Sequence, residues 1–419
     1  MTKIYKRNRR IKQTALVSAL LLELSGSQAA SINVDGTSCT FADAVVAANT
    51  DTATGGCTAG GGADVLELTS PVINITDTAY IESKVTINGH GATLQSDGSD
   101  FMMLSVGYYS SGQLNLNDTT VQGGYSANNW GAGARVYNGS LNINRSTFTN
   151  NTGGAVLFSP GTSGRIVQSN ISGNQSANSS WYSGAISVSG AVVTIEDSTI
   201  SNNSTLSTQS GGGGLYITDY ENPLHLTLSN TTISGNTSQL SGGGISHKDS
   251  GEGATVVLNN VTLVNNSSDA KGGGIYNDSA NIIINQSIIS GNTATSEAEI
   301  YFYTGWGQVT VDNYNIIGLN NDAGASDVII GSSDIVPTES TLAEIIDVSL
   351  ANNGGMTPTH NLNPAGPSVD VIPAAFCHLS YDQTGKARPI DGDGDGVADC
   401  DVGAVEYFDD VIFKDGFDQ

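Results

Sequence analysis

A six-residue frame recurs through the middle of this chain and restricts its fold more than any other feature. Leu116-Asn-Asp-Thr-Thr-Val121 returns as Ile143-Asn-Arg-Ser-Thr-Phe148, Ile195-Glu-Asp-Ser-Thr-Ile200, Leu228-Ser-Asn-Thr-Thr-Ile233, Leu258-Asn-Asn-Val-Thr-Leu263 and Ile284-Asn-Gln-Ser-Ile-Ile289. Looser copies run from Ile166 to Ile171 and from Val311 to Ile316. Each copy is an aliphatic residue, a short polar turn and a second large apolar residue five positions on. The interval varies around about 28 residues, as expected for solenoid coils with loops of unequal length. Leading into the frames, the pairs Leu114 and Leu116, Leu141 and Ile143, Val193 and Ile195, Leu226 and Leu228, Val256 and Leu258, and Ile282 and Ile284 alternate with polar neighbours. A period of two turns one side of a strand into a core. Stacking sets these aliphatics about 4.8 Å apart. A single coil has too little core to fold, so stability comes from the stack.

The corners follow from the same geometry. After the second apolar position a polar turn ends in asparagine: Asn150-Asn151, Asn174, Asn203, Asn236, Asn266, Asn292. Asparagine tolerates the left-handed conformation, and its amide can bond the asparagine of the next coil to form a ladder. Such ladders account for the many Asn-x-Ser/Thr sequons without glycosylation. Glycine blocks at Gly153-Gly154, Gly184, Gly211 to Gly214, Gly242 to Gly244 and Gly272 to Gly274 precede each new strand. A right-handed crossover is the default between parallel strands, and the six-residue period of the left-handed hexapeptide helix is absent. The expected fold is all-β. It is a right-handed parallel β-helix, a pectate-lyase-like solenoid, with a short N-terminal helical cap and a disulfide-tied C-terminal segment.

The ends bound the setting. Lys3, Lys6, Arg7, Arg9, Arg10 and Lys12 precede a mostly apolar run from Thr14 to Leu24, and Ser27-Gln28-Ala29 offers small residues at a cleavage site. This is the layout of a secretory signal peptide, too short to span a bilayer comfortably. The expected location is therefore exported, extracellular or on the outer cell surface, with no integral membrane segment after signal removal. The formal net charge is −25, and six of the 15 Lys and Arg lie in that leader. So acidic a surface repels nucleic acid and anionic lipid and suits divalent cations. The four cysteines fall into local pairs, Cys39 with Cys57 and Cys377 with Cys400, read as disulfides in an exported chain.

The repeats resemble those of the polymorphic outer-membrane proteins and related surface β-helices. Phe148-Thr-Asn-Asn151 with Gly153-Gly154-Ala155-Val156, and Leu263-Val-Asn-Asn266 with Gly272-Gly273-Gly274-Ile275, carry that likeness over about half the chain. A long C-terminal run of barrel strands is not seen, so the resemblance does not imply self-transport. The N-terminal stretch Cys39-Thr-Phe-Ala-Asp-Ala-Val-Val-Ala-Ala-Asn49, with Gly56-Cys57 and Ala63-Asp64-Val65-Leu66-Glu67-Leu68, looks like the CSLREA-type module of bacterial surface proteins. Thr-Phe-Ala-Asp here replaces that module's Ser-Leu-Arg-Glu. Phe41, Ala44, Val45 and Ala48 give one apolar helical face, as a cap over an open solenoid end requires. Asn353-Gly-Gly-Met-Thr-Pro-Thr-His-Asn-Leu362, Gly366-Pro-Ser-Val-Asp370 and Asp401-Val-Gly-Ala-Val-Glu406 are similar to closing segments after such helices, and Ile412 to Asp418 to a tail motif of exported proteins. The expected organisation is a signal peptide over 1–29, a cap with the first coils over 30–100 and repeats over 101–335. A closing segment over 336–407 and a tail over 408–419 complete it.

One cluster carries metal chemistry. Asp391-Gly-Asp393-Gly-Asp395-Gly begins like a calcium loop. Val402 stands at the twelfth position, where the loop has glutamate, with Asp399 and Asp401 as substitutes. Calcium is the one cofactor expected, on Asp391, Asp393, Asp395, Asp399 and Asp401. Catalysis finds no compact motif. Arg135, Arg145, Arg165, Lys248, Lys271, His225 and His247 are available to a lyase, and Asp197, Asp219, Glu221, Asp249 and Glu252 to a hydrolase. No catalytic residue is assigned, and the coils read mainly as scaffold. Trp130, Trp181 and Trp306, with Tyr108, Tyr109, Tyr125, Tyr182 and Tyr216, can stack on sugars. The expected function is an adhesin-like or cell-envelope component binding glycans or other surface partners. A polysaccharide lyase or glycoside hydrolase, or a structural spacer, are the alternatives.

Overall fold

The computed structural model describes residues 29–128, 131–176, 183–209, 211–248, 253–303 and 307–408. The leader through Gln28, Trp130, Trp181, Tyr182, Asp249, Glu252, Trp306 and the tail from Asp409 lie outside them. The chain winds into a parallel β-solenoid of about eight turns. A representative coil runs through Leu104–Val106, Gly112–Asn117 and Thr120–Gln122 before Ala134–Val136 opens the next. Every named inter-strand pairing is parallel, as a chain that always winds one way requires.

The register stacks the aliphatic pairs as the alternation predicts. Leu114 pairs with Leu141 and Leu116 with Ile143, and further up Leu226 pairs with Val256 and Leu228 with Leu258. All are buried. The looser copy at Ile166 has a physical reason. In register with Leu141 and Val193 stands Gly164, and a β-carbon there would lie 2.2 Å from the Phe158 ring. Phe158, fully buried, fills the volume that the missing aliphatic leaves.

The asparagine ladder forms as expected. Asn151 donates its side-chain amide to Asn174 Oδ1, Asn174 to Asn203, Asn203 to Asn236, Asn236 to Asn266 and Asn266 to Asn292, each at 2.9 Å. The steps measure the coils, from 23 residues at the shortest to 33 at the longest. Asn174, Asn203, Asn236 and Asn266 stand in sequons yet are 0–1% exposed, so in the folded chain they are scaffold. The residue before each ladder asparagine takes the left-handed form, as Asn150, Asn202 and Asn265 or as Gly173, Gly235 and Gly291. The turn inside the six-residue frame is also left-handed, at Asp118, Arg145, Gln168, Asp197, Asn230, Asn260 and Gln286. A second ladder runs from the Val261 amide to Ser287 Oγ and from the Ser287 amide to Asn315 Oδ1. It ends on Asp334 Oδ1, which accepts from the Asn315 side-chain amide and backbone.

The helix Phe41–Thr50 begins where Thr40 accepts from the Asp43 backbone, and it buries Phe41, Ala44, Val45, Ala47 and Ala48. Its partners are the first strands, Ser31–Val34 to Ala79–Ile81. The Cys39–Cys57 and Cys377–Cys400 disulfides are formed, with Cα atoms 4.7 and 5.9 Å apart. The closing segment folds back along the flank of the solenoid. Val264, Ile288 and Ile316 on the coils meet Leu342, Ile345, Ile346, Leu362, Val402 and Val405 in a second small core. Gln383 locks this contact: its amide reaches Ser198 O, Thr199 Oγ1 and Thr357 Oγ1, and its carbonyl accepts from Thr232. Among the described residues no helix is long and apolar enough to cross a membrane.

Candidate functional site

Tyrosines converge at the N-terminal end of the ten-stranded sheet. Tyr80 lies on Ala79–Ile81, Tyr108 and Tyr109 follow Leu104–Val106, and Tyr137 follows Ala134–Val136. Stacking of consecutive coils brings them together. Ring centroids lie 5.7 Å apart for Tyr80 and Tyr108, 5.3 Å for Tyr80 and Tyr109, 4.7 Å for Tyr108 and Tyr109, and 4.8 Å for Tyr108 and Tyr137. The last two pairs are edge-on, the geometry aromatic quadrupoles prefer. The Arg135 guanidinium sits 4.1 Å over the Tyr137 ring, a cation–π contact.

The loop is held from beneath. Glu82 accepts from the backbone of Tyr108, Tyr109 and Ser110 and from the Ser110 hydroxyl, at 2.8–3.1 Å. One carboxylate thus fixes three successive residues, and Tyr109 is still 74% exposed. Burial pushes the Tyr80 and Tyr137 hydroxyls above their ordinary value, so both stay protonated donors at neutral pH. Of the other tyrosines expected to meet sugars, Tyr125 is exposed at 38%. Tyr216 is 4% exposed and offers no platform, a correction to the sequence reading.

The acidic turn assembles only part of its expected set. Asp391 accepts from Gly394 and Gly396 backbone amides, Asp393 from Asp395, and Asp395 from Val397. Asp391 and Asp393 come together with Asp370, the three offering oxygens within 4.8 Å of one another. Asp370, 21 residues before Asp391, accepts from the Gly392 and Asp393 amides at 2.7 Å. Asp395, Asp399 and Asp401 stand outside this group. Asp399 holds the Ala374 amide instead. Asp401 is fully buried and accepts from the Asp370 and Tyr407 backbones. Burial raises its carboxyl to about 6. Beside it Arg388 bonds Glu406 at 2.7 Å, and burial pushes that carboxyl up while the guanidinium pulls it down.

The residues available to catalysis are scattered. Arg145 pairs with Asp118 and Arg165 with Glu196. Lys248 donates to Gln209 O, Lys271 to the Tyr301 hydroxyl, and Asp219 accepts from Gly253. His247 is buried and His225 exposed. Asp197 lines a groove of about 590 Å³ between the coils and the closing segment, with Glu196, Asn230, Tyr381 and Asp382. Burial raises the Asp197 carboxyl. Asp382 is engaged by Thr384, Lys386 and the Glu406 backbone.

Comparison with known families finds a likeness within the repeats. Residues 260–278 match the Chlamydia polymorphic membrane protein repeat. That span contains Leu263-Val-Asn-Asn266 and Gly272-Gly273-Gly274-Ile275, hence ladder Asn266 and the start of the next strand. No curated protein and no solved structure matches the chain.

Proposed function

We propose that this chain is an exported, surface-displayed β-solenoid that binds glycans or other cell-surface components through its tyrosine cluster. The observation that carries the reading is the set of four tyrosines from three successive coils, two of them, Tyr108 and Tyr109, on a loop that Glu82 holds in place. Exposed aromatic rings beside hydroxyl and guanidinium donors suit sugars, which offer a C–H face and a rim of hydroxyls. The repeat likeness supports a surface setting, and two disulfides fit an oxidising compartment. The CSLREA-like N-terminus, with Phe41 to Ala48 on the first coils, belongs to the same reading.

Binding is preferred to catalysis because the coil arginines Arg145 and Arg165 already pair with Asp118 and Glu196. The test is a glycan and polysaccharide panel read for retention and for product release. We expect retention without release, weakened at least tenfold by Tyr108→Ala with Tyr109→Ala. Release of unsaturated or reducing sugars would replace this reading with a lyase or hydrolase.

Calcium is proposed at Asp370, Asp391 and Asp393, with the ion stiffening the turn that Cys377–Cys400 closes. Titration calorimetry of the folded chain checks it. Heat in the wild type should disappear in Asp370→Asn with Asp393→Asn, and no wild-type heat ends the proposal.

A further inference from the structure

The outer side of the ten-stranded sheet carries a second cluster of the same kind. The pairing register runs from Tyr80 through Ser105 to Arg135, and five strands further on reaches Tyr276 and then Tyr301. Tyr276 and Tyr301 stack with ring centroids 5.4 Å apart and planes 8° from parallel. The Lys271 ammonium lies 4.1 Å from the Tyr301 ring centroid and donates to the Tyr301 hydroxyl at 2.9 Å. Tyr276 in turn donates to Asp278 at 2.7 Å. Tyr303 follows on the same strand end, tied by its backbone to Asn277 and 57% exposed. Each cluster thus pairs one largely exposed tyrosine, Tyr109 or Tyr303, with a cation seated on a neighbouring ring.

We infer that Lys271, Tyr276, Tyr301 and Tyr303 form a second carbohydrate subsite, and that both clusters engage one extended, uncharged polysaccharide along the solenoid axis. The inference rests on the glycan-binding reading and extends it. Five strand steps separate the nearest members of the two clusters, about 24 Å at the ~4.8 Å spacing. Seven separate the coils of Tyr109 and Tyr303, about 34 Å, too far for a short oligosaccharide to bridge. Between them Leu157, Ser187, Tyr216 and Ser246 are buried. Two separated aromatic points suit a polymer, which can meet each with a different sugar ring. The net charge of −25 argues against a polyanion. The neutral chain is therefore the occupant that the surface accepts.

The test uses the whole chain. Electrophoresis in gels containing β-glucan, xylan, galactomannan or pullulan should show retardation by at least one polymer. Oligosaccharides of that polymer, shorter and longer than the span, are then titrated. Affinity should rise by about 10²-fold or more once the span is bridged, because the second contact becomes intramolecular. Tyr303→Ala and Tyr301→Ala should abolish that rise and leave short-oligosaccharide binding at Tyr109 intact. Binding that is insensitive to length, or to both substitutions, overturns the second subsite while the first survives. Retention of polyanions alone overturns the neutral ligand. No retardation by any polysaccharide overturns the glycan reading itself.

Discussion

Asn292 donates its side-chain amide to Glu299 Oε2 at 2.6 Å, and this bond ends the asparagine ladder. Along the ladder each amide accepts from the preceding coil and donates to the next, beginning where Gly124 donates to Asn151. The amide dipoles therefore align, with N–H groups facing the C-terminal end. An acceptor belongs there, and Glu299, buried at 4% exposure, supplies it.

That placement makes stability depend on pH. Burial raises the Glu299 carboxyl to about 8, against the partial opposition of its bonds from Asn292 and Gly291. Between about 4.5 and 8 the folded chain keeps a proton that the unfolded chain has released. The contribution is thus fully present below about 4.5 and is lost as pH rises through 8. Glu299→Gln keeps an acceptor for Asn292 and cannot ionise. Melting temperatures taken from pH 4.5 to 8.5 should fall less steeply in the variant, which gains on the wild type at the alkaline end. Parallel curves would show that Glu299 does not titrate in this range.

Asn203 tests the ladder interior. It accepts from the Asn174 backbone and amide, and donates to Asn236 and to Ile171 O. Asn203→Ala strands the buried Asn174 backbone amide, at about 1–3 kcal/mol, and removes the side-chain bonds to Asn174, Asn236 and Ile171 as well. Asn203→Asp keeps the acceptor but sets a carboxylate against two oxygens. It should be at least as destabilising as alanine at pH 7 and recover as pH falls. Denaturant midpoints at pH 7 and 4 read this directly; an aspartate variant as stable as wild type at pH 7 is incompatible with the ladder.

Gly164 and Phe158 are coupled through shared volume. Gly164→Ala drives a methyl against the ring, an overpacking cost of about 1–3 kcal/mol. Phe158→Leu alone opens a cavity. Combined, the two should destabilise less than the sum of the singles by at least about 0.5 kcal/mol, the coupling expected of residues in contact. Additive losses in a double-mutant cycle would mean that Phe158 does not fill the space at Gly164.

How far the chain could be read depended on how local each signal was. Leu114, Leu141 and Val193 announce their core through alternation with immediate neighbours, and Asn174 or Asn203 announces the ladder by returning once per coil. Glu299 was not legible as the ladder's end, because a single carboxylate has no period. Asp370 was missed because it reaches Asp391 and Asp393 across a folded turn. Tyr80 and Tyr137 are 57 positions apart and join the Tyr108 cluster only through coil register. Thr199 and Thr232 belong to the polar part of their six-residue frames and carry no apolar signal, yet both lie under the closing segment. One signal of that docking was present: Val264, Ile288 and Ile316 place aliphatics on the outward side, where earlier coils carry Gln122, Thr147 or Thr149.

The docking itself is the last point to test, through Gln383. Its side chain bridges Thr199, Thr232, Thr357 and Ser198 O at 2.7–3.0 Å in a buried position. Nearby His360 bonds Ser234, Gln286 bonds Phe376 O, and the Ala404 amide bonds Thr262. Gln383→Leu is close in volume but removes four buried bonds and leaves the Thr232 hydroxyl without its acceptor, at about 1–3 kcal/mol for that stranded group. Thr199 keeps Pro358 O, Thr357 keeps Asp197 O and the Ser198 carbonyl keeps the Thr232 amide. The apolar contact around Ile288 and Ile316 does not depend on Gln383. The closing segment should therefore loosen while the coils stay folded. Hydrogen exchange should quicken at Ala404, Ile372 and Cys400, whose amides are bonded within or beneath the segment, and limited proteolysis should cut within 336–407. Protection at Asn203 and Asn236 in the ladder should not change. Equal loss of protection in both regions would show that solenoid and closing segment unfold as one unit.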